Sequence, residues 1–515
     1  MQKAEARVAK NTLFLYARML LILLINLYTS RVILKTLGFE DYGIYNVVGG
    51  LVALFAFMNS SLSGAASRFI AYSIGEEKGH PKSVFSTLIT IHCIVAVVLV
   101  LLCETVGILF FDKLVIPESR IFAAKATFHI SVAATAISVL RIPYNASIIA
   151  HEDMKVFAYV SVVEVILKLA IVFLLNVIMY DKLITYSWLY LAIVILISLI
   201  YAVYCVRSYS DALTFPGFEK DKFKQILSYF SWDLYGNLSV AANAQGTNII
   251  LNLFGGVVVN SACAIANQVR GAIYGFASNF MLAMNPQIVK NYAARDLDQM
   301  NSLMKRGGLL SFVLLWFFSL PLMLEVDFVL KVWLDDVPAG TSSFVVLSLA
   351  FALIQTMYSS INIGIHATGR IKYLSFIGGS ILMSSVLISY FLLRTQDNLL
   401  IPFISNIFAV LVSAVVNLYI LKYEMNEFRV KEYFRDVYLK CLVIVILTCP
   451  IPLIFRIVME PSVLRFFIVG STSVLSVLIS AFYLLLDGTE RKTVLSKIFK
   501  KTSANAEGIS DSASV

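Results

Sequence analysis

Residues 247–267 read TNIILNLFGGVVVNSACAIAN, and 217 positions upstream residues 30–50 read SRVILKTLGFEDYGIYNVVGG. Laid one on the other without a gap, Leu34 falls on Leu251 and Gly38 on Gly255. Each stretch joins the first and second apolar runs of a group of six. That long-period match predicts two parallel six-helix lobes, 1–206 and 225–422, with a cavity between them near the middle of a bilayer. A cytoplasmic linker is expected at 207–224, two extra helices at 423–486 and a cytoplasmic tail at 487–515 of disordered composition.

Composition places the chain in a membrane. Of its 515 residues 59% are hydrophobic and 14% charged, and mean hydropathy is +0.83. A soluble domain carries about 25% charged residues. With about 20 apolar residues per crossing, the spans fall at 11–34, 43–73, 83–111, 121–142, 155–179, 183–206, 225–254, 260–285, 307–330, 342–365, 371–393, 399–421, 437–456 and 463–486. The expected fold is an all-α polytopic membrane protein of about 14 transmembrane helices. With both termini inside, the inner segments hold 27 Lys and Arg and the outer turns 8, as the positive-inside rule requires. That bias accounts for the net charge of +9 without nucleic acid. The first apolar run is long enough to span and lacks a cleavage site, so no secretory signal is expected.

Nothing in the chain calls for a cofactor or a metal. The six cysteines all lie in apolar runs and read as small core residues. No GxxxxGK occurs for ATP. The HED at 151–153 is read as a solvated turn, and no loop is long enough to carry the catalytic apparatus of a polymerase, ligase or glycosyltransferase.

The informative residues are the charges left within the spans, each costing about 2.5–3.5 kcal/mol if unpaired. Helical spacing puts Asn46, Gly50, Ser61, Gly64, Arg68 and Tyr72 on one stripe of the second span. Arg18, Asn26 and Thr29 share a face of the first, while Arg31 points elsewhere. Asn267, Arg270, Tyr274 and Ser278 share a face of the eighth, and Asp233, Asn237, Gln245, Asn248 and Asn252 a flank of the seventh. Two readings stand for Arg18, Arg31 and Arg68: cavity walls, or side chains snorkelling to the interface. The amides of the seventh span are either cavity lining or interhelical glue. Glu164 and Lys168, spaced i, i+4, suit an ion pair or a coupling site, and Asp233 is a further coupling candidate. Glu325 and Asp327 fall near the outer end of the ninth span and are expected at the interface. A cavity of arginines and amides with few free acids selects a hydroxyl-rich anion, since guanidinium groups bind phosphate oxygens bidentately.

The run TNIILNLFGGVVVNSACAIANQVRGAIYGFASNFMLAMNPQIVKNYAARD (247–296), with LYTSRVILKTLGFEDYGIYNVVGG (27–50), resembles the polysaccharide flippases of the MOP superfamily. These are the Wzx-type O-antigen and capsule exporters, related to MATE transporters and the lipid II flippase. The resemblance implies alternating access by two lobes in a bacterial inner membrane, moving undecaprenyl-diphosphate-linked oligosaccharide outward. It implies membrane lipids and polysaccharide polymerase or export machinery as partners. By helix position, Arg18 or Arg31, Arg68 and Arg270 match the cavity arginines of the lipid II branch. The extra helix pair resembles one that shapes a lipid-tail groove, and Pro450 and Pro452 would bend its first member. The rivals within the superfamily are a lipid II flippase and a MATE-type cation-coupled drug exporter. An apolar pocket around Asp233 would favour the latter.

Overall fold

The structure is a computed structural model that describes residues 12–22, 25, 29, 32–33, 36–37, 41, 44–45, 56–76, 79–111, 117–175, 180–212, 217, 219–334, 337–485 and 491. Among these residues every regular element is helical. The helices are α1 (Thr12–Ile22), α2 (Ala56–Gly75), α3 (Pro81–Phe111), α4 (Ile121–Ala150), α5 (Met154–Leu174), α6 (Lys182–Ser208), α7 (Lys220–Ala293) and α8 (Leu297–Leu324). They continue as α9 (Val326–Trp333), α10 (Thr341–Thr368), α11 (Gly379–Leu393), α12 (Ile401–Glu424), α13 (Val430–Tyr433), α14 (Lys440–Thr448), α15 (Pro450–Val458) and α16 (Val463–Leu485).

Ten described segments are long and apolar enough to cross a membrane, and they coincide with ten of the fourteen expected spans. The other four fall on α1, on α2 and, as a pair, on α7. The turn expected between 225–254 and 260–285 is helical instead, because α7 runs unbroken for 74 residues. Gly255 and Gly256 each weaken a helix by about 1 kcal/mol, yet α7 continues through both. The 437–456 span divides at Cys449 into α14 and α15, with Pro450 opening α15, as a ring without an N–H dictates.

Contacts divide the chain into two units. The first joins Met1–Phe254, Ser278–Met304 and Tyr358–Phe428, and the second Gly255–Ala277, Lys305–Met357 and Arg429–Val515. In the first, α4 packs against α2, α3 and α6. Its buried Ala123, Ala124, Ala134 and Ala146 let these helices approach closely. Leu101, Leu199 and Phe408 point outward and exposed, as hydrocarbon solvent allows.

The HED stretch is a packed corner rather than a solvated turn. His151 stacks on Tyr209 with centroids 3.9 Å apart, and Asp153 accepts from the Tyr204 hydroxyl at 2.5 Å. Glu152, buried and left-handed at φ 64°, takes Lys290 Nζ at 2.6 Å and the amide of Gln287. A solvated turn has no reason to hold a non-glycine residue at positive φ, whereas a buried ion pair supplies one. Close by, a side chain on Gly75 would meet the Lys290 carbonyl oxygen at 2.6 Å, so α2 abuts the end of α7.

In the second unit the extra helices are fastened to α8 and α9. Trp316 donates to Thr448 at 2.9 Å, and Phe328 stacks on Phe466. Lys305 pairs with Glu432 and Asp436 at 2.9 and 3.1 Å. Glu325, expected at the interface, is buried with 1% of its side chain exposed and bound by Arg465 at 2.8 Å. The expectation failed because hydropathy places a residue by depth and is blind to a cation 140 positions away.

Candidate functional site

Two polar clusters occupy the first unit. One grows from the α2 stripe. Small residues at Ser61 and Gly64 bring α2 against α7, where Asn237 donates to Ser61 Oγ and Asp233 Oδ2, both at 3.0 Å. One turn further on, Arg68 lies 4.5 Å over Phe69 and 4.8 Å over Tyr72. Its Nε and Nη2 donate to the carbonyls of His366 at 3.2 Å and Ala367 at 3.0 Å. These are among the last carbonyls of α10 and carry the negative end of the helix dipole; that of His366 also accepts from the Gly369 N–H at 3.1 Å. Tyr229 Oη stands 2.5 Å from His366 Nδ1, and Asp233 Oδ1 stands 3.8 Å from the same nitrogen. Asp233 is therefore buried, with Asn237 and His366 beside it.

Gly369 ends α10 with φ +77°, the usual left-handed glycine after a helix. A side chain there would also meet Arg68 Cζ at 2.8 Å. Left-handed geometry alone disfavours alanine by about 1–2 kcal/mol. Gly369→Ala is thus expected to lower the thermal unfolding midpoint of the purified protein. An unchanged midpoint would mean that the Arg68 contact has room to give.

The second cluster gathers Arg18, Arg141, Glu164 and Lys168. Lys168 binds Glu164 at 2.8 Å, so the i, i+4 pair is present, and Arg141 binds the other carboxylate oxygen at 3.1 Å. Arg18 lies 4.5 Å over the Phe157 ring and within electrostatic reach of Glu164. Its Nε is buried without a hydrogen-bond partner among the described residues. Three cations thus surround one carboxylate, leaving a surplus of two positive charges in a low-dielectric setting. Sequence reading missed Arg141 by counting it with the inner segment 141–155, whereas α4 continues to Ala150.

The remaining candidates separate. Arg270 belongs to the second unit, 5.3 Å over Phe351, with Asn267 donating to Cys263 Sγ at 3.4 Å. Asn248 is half-buried and already partnered. Arg31 and the side chain of Asn252 lie outside the described residues. The interhelical bonding expected of α7 amides is made by Asn237, to Ser61, and also by Asn243, which donates to the Leu382 carbonyl, Ser385 and Asn406 at 2.8–2.9 Å. Asn243 was not among the candidates, although an amide in an apolar run is the same signal that singled out Asn248.

Helical architecture of this kind is that of the MATE-like transporters. The structure matches a multidrug resistance MATE family transporter of the MOP superfamily in an outward-facing conformation, with TM-score 0.71 and 13% identity, over 83% of this chain and 97% of the other. It also matches a MOP superfamily transporter from Pyrococcus furiosus, described as having a binding pocket of reverse polarity (TM-score 0.66, 14% identity, 81% and 96% covered). A MATE protein in complex with MaL6 matches with TM-score 0.63 and 14% identity, over 83% and 97%. No curated protein is matched by the sequence. Residues 8–295 match the family described as polysaccharide biosynthesis protein, and the chain belongs to that flippase family.

Proposed function

We propose that the protein flips an undecaprenyl-diphosphate-linked oligosaccharide from the inner to the outer leaflet of a bacterial inner membrane, with both termini cytoplasmic and without catalysing a covalent step. The observation that carries this reading is the surplus of cations around Glu164, with the buried, unpartnered Nε of Arg18. A buried donor left unmet costs about 1–3 kcal/mol, and a diphosphate oxygen would meet it. The same surplus disfavours a cationic drug as cargo. Arg270 is proposed to contribute from the second half of the chain. Polymerase or export machinery would take up the product.

The two-lobe reading gives the Arg68 cluster a different task. Bonds join residues 1–206 to residues 225–422 at three places: Arg68 to the end of α10, Glu152 to Lys290 and, nearer mid-span, Ser61 to Asn237. These contacts would form a gate that parts when cargo is loaded from inside. Arg68 is then a latch on α10, and Asp233 beside His366 is the coupling candidate of that gate.

The test is lipid-linked oligosaccharide on the outer leaflet of cells lacking their own flippase. Wild type is expected to restore it, and Arg18→Ala and Arg141→Ala to fall at least tenfold at matched membrane levels. Full restoration by both variants would remove the cation cluster from the transport path.

A further inference from the structure

Where α7 begins, beside the turn from α10 to α11, a cavity of about 890 Å³ opens. Its charged lining comprises Arg68, Lys224, Arg370 and Lys372 against Asp221 and Glu424. Arg370 is paired with Glu424 at 3.7 Å, whereas Lys224 and Lys372 have no acidic partner among the described residues. Lys372 Nζ lies 5.5 Å over Trp232, and Gln225 and Ser228 supply hydroxyl-compatible groups on the next turn of α7.

Tyr373, which lines this cavity, also borders a second hollow of about 460 Å³ between the turn leading into α11 and α12. That hollow is apolar, formed by Ile377, Val415, Val416 and Ile420 with Tyr419 and Tyr423. Tyr373 meets Tyr423 edge to face at 5.5 Å. Tyrosine and tryptophan collected in this way mark the depth at which lipid headgroups meet hydrocarbon. A cationic chamber therefore adjoins an apolar groove across one aromatic side chain.

We propose that chamber and groove together form an inner-leaflet loading site for a polyprenyl-diphosphate-linked sugar. The diphosphate lies among Lys224, Lys372 and Arg68, the first sugar lies against Trp232, Gln225 and Ser228, and the first isoprene units lie along Ile377 and Val416. This inference rests on the lipid-linked cargo proposed above. Three features favour this ligand over a single-charge phospholipid: two lysines without an acidic partner among the described residues, a chamber too large for one phosphate, and an apolar groove beside it. Phosphate arriving here also competes for the guanidinium that caps α10, so loading weakens the Arg68 latch.

The test measures binding of farnesyl diphosphate to the purified full chain in phosphatidylcholine nanodiscs, beside inorganic diphosphate, farnesol and phosphatidylglycerol. Wild type is expected to bind farnesyl diphosphate at least tenfold more tightly than inorganic diphosphate or farnesol. The double variant Lys224→Gln, Lys372→Gln should weaken it about tenfold, and the arginine double Lys224→Arg, Lys372→Arg should keep it. Ile377→Asn should weaken farnesyl diphosphate and leave inorganic diphosphate unchanged. Equal binding by wild type and all variants would place the ligand elsewhere and overturn the loading site, with the transport reading intact. Equal affinity for phosphatidylglycerol would make this a general anionic-lipid site and overturn it too. If wild type does not bind farnesyl diphosphate, the lipid-linked cargo falls as well.

Discussion

Glu325→Ala is expected to destabilise the protein by about 3–5 kcal/mol, the usual consequence of stripping one partner from a buried ion pair. Glu325 and Arg465 have side chains 1% and 12% exposed and meet at 2.8 Å. Removing the carboxylate leaves a mostly buried guanidinium with the Met459 carbonyl at 3.2 Å in place of its counter-charge. Arg465→Ala should be similarly harmful, because it leaves the carboxylate in the same position. The double change Glu325→Leu, Arg465→Met should recover most of the loss, since two apolar groups of similar volume leave no charge buried. The check is the unfolding midpoint of detergent-purified protein. Single variants as stable as wild type would mean that water reaches the pair.

Arg68→Ala carries the second large effect. It removes two hydrogen bonds from a charged donor, each contributing about 1.5–3 kcal/mol, together with cation–π contacts to Phe69 and Tyr72. The end of α10 loses its cap, so the loss should show as opening at the turn after it as well as lowered stability. A membrane-impermeant thiol reagent applied to Thr368→Cys in inside-out vesicles reads that opening. Labelling should rise severalfold with Arg68→Ala and less with Arg68→Lys, whose ammonium can reach one carbonyl but lacks the planar fork. Labelling unchanged in both would mean that the α10 turn holds without Arg68.

Periodicity and hydropathy are local signals, and they found what is locally determined. Ten apolar runs became ten helices of spanning length, and Glu164 found Lys168 one turn away. The stripe Ser61, Gly64, Arg68 does face a polar partner, namely α7. The partners of Arg68 are 298 and 299 positions distant, and spacing along the chain carries no trace of them. The same blindness hid the partners of Glu152 and Glu325, each of which is buried against a cation remote in sequence. At 255–259 the opposite error arose: a break was expected between the spans 225–254 and 260–285, whereas α7 runs through it.

In the proposed transport cycle, the three-to-one ratio of cations to acid around Glu164 would also decide which half responds to voltage. A diphosphate seated among Arg18, Arg141 and Lys168 nearly cancels their surplus, so the loaded carrier crosses the field almost neutral. The emptied carrier retains two positive charges. With the inside negative, each charge drawn fully inward gains about 2.3 kcal/mol per 100 mV. In the proposed cycle the membrane potential therefore resets the empty protein instead of pushing the cargo, and depolarisation would slow repeated turnover while sparing the first.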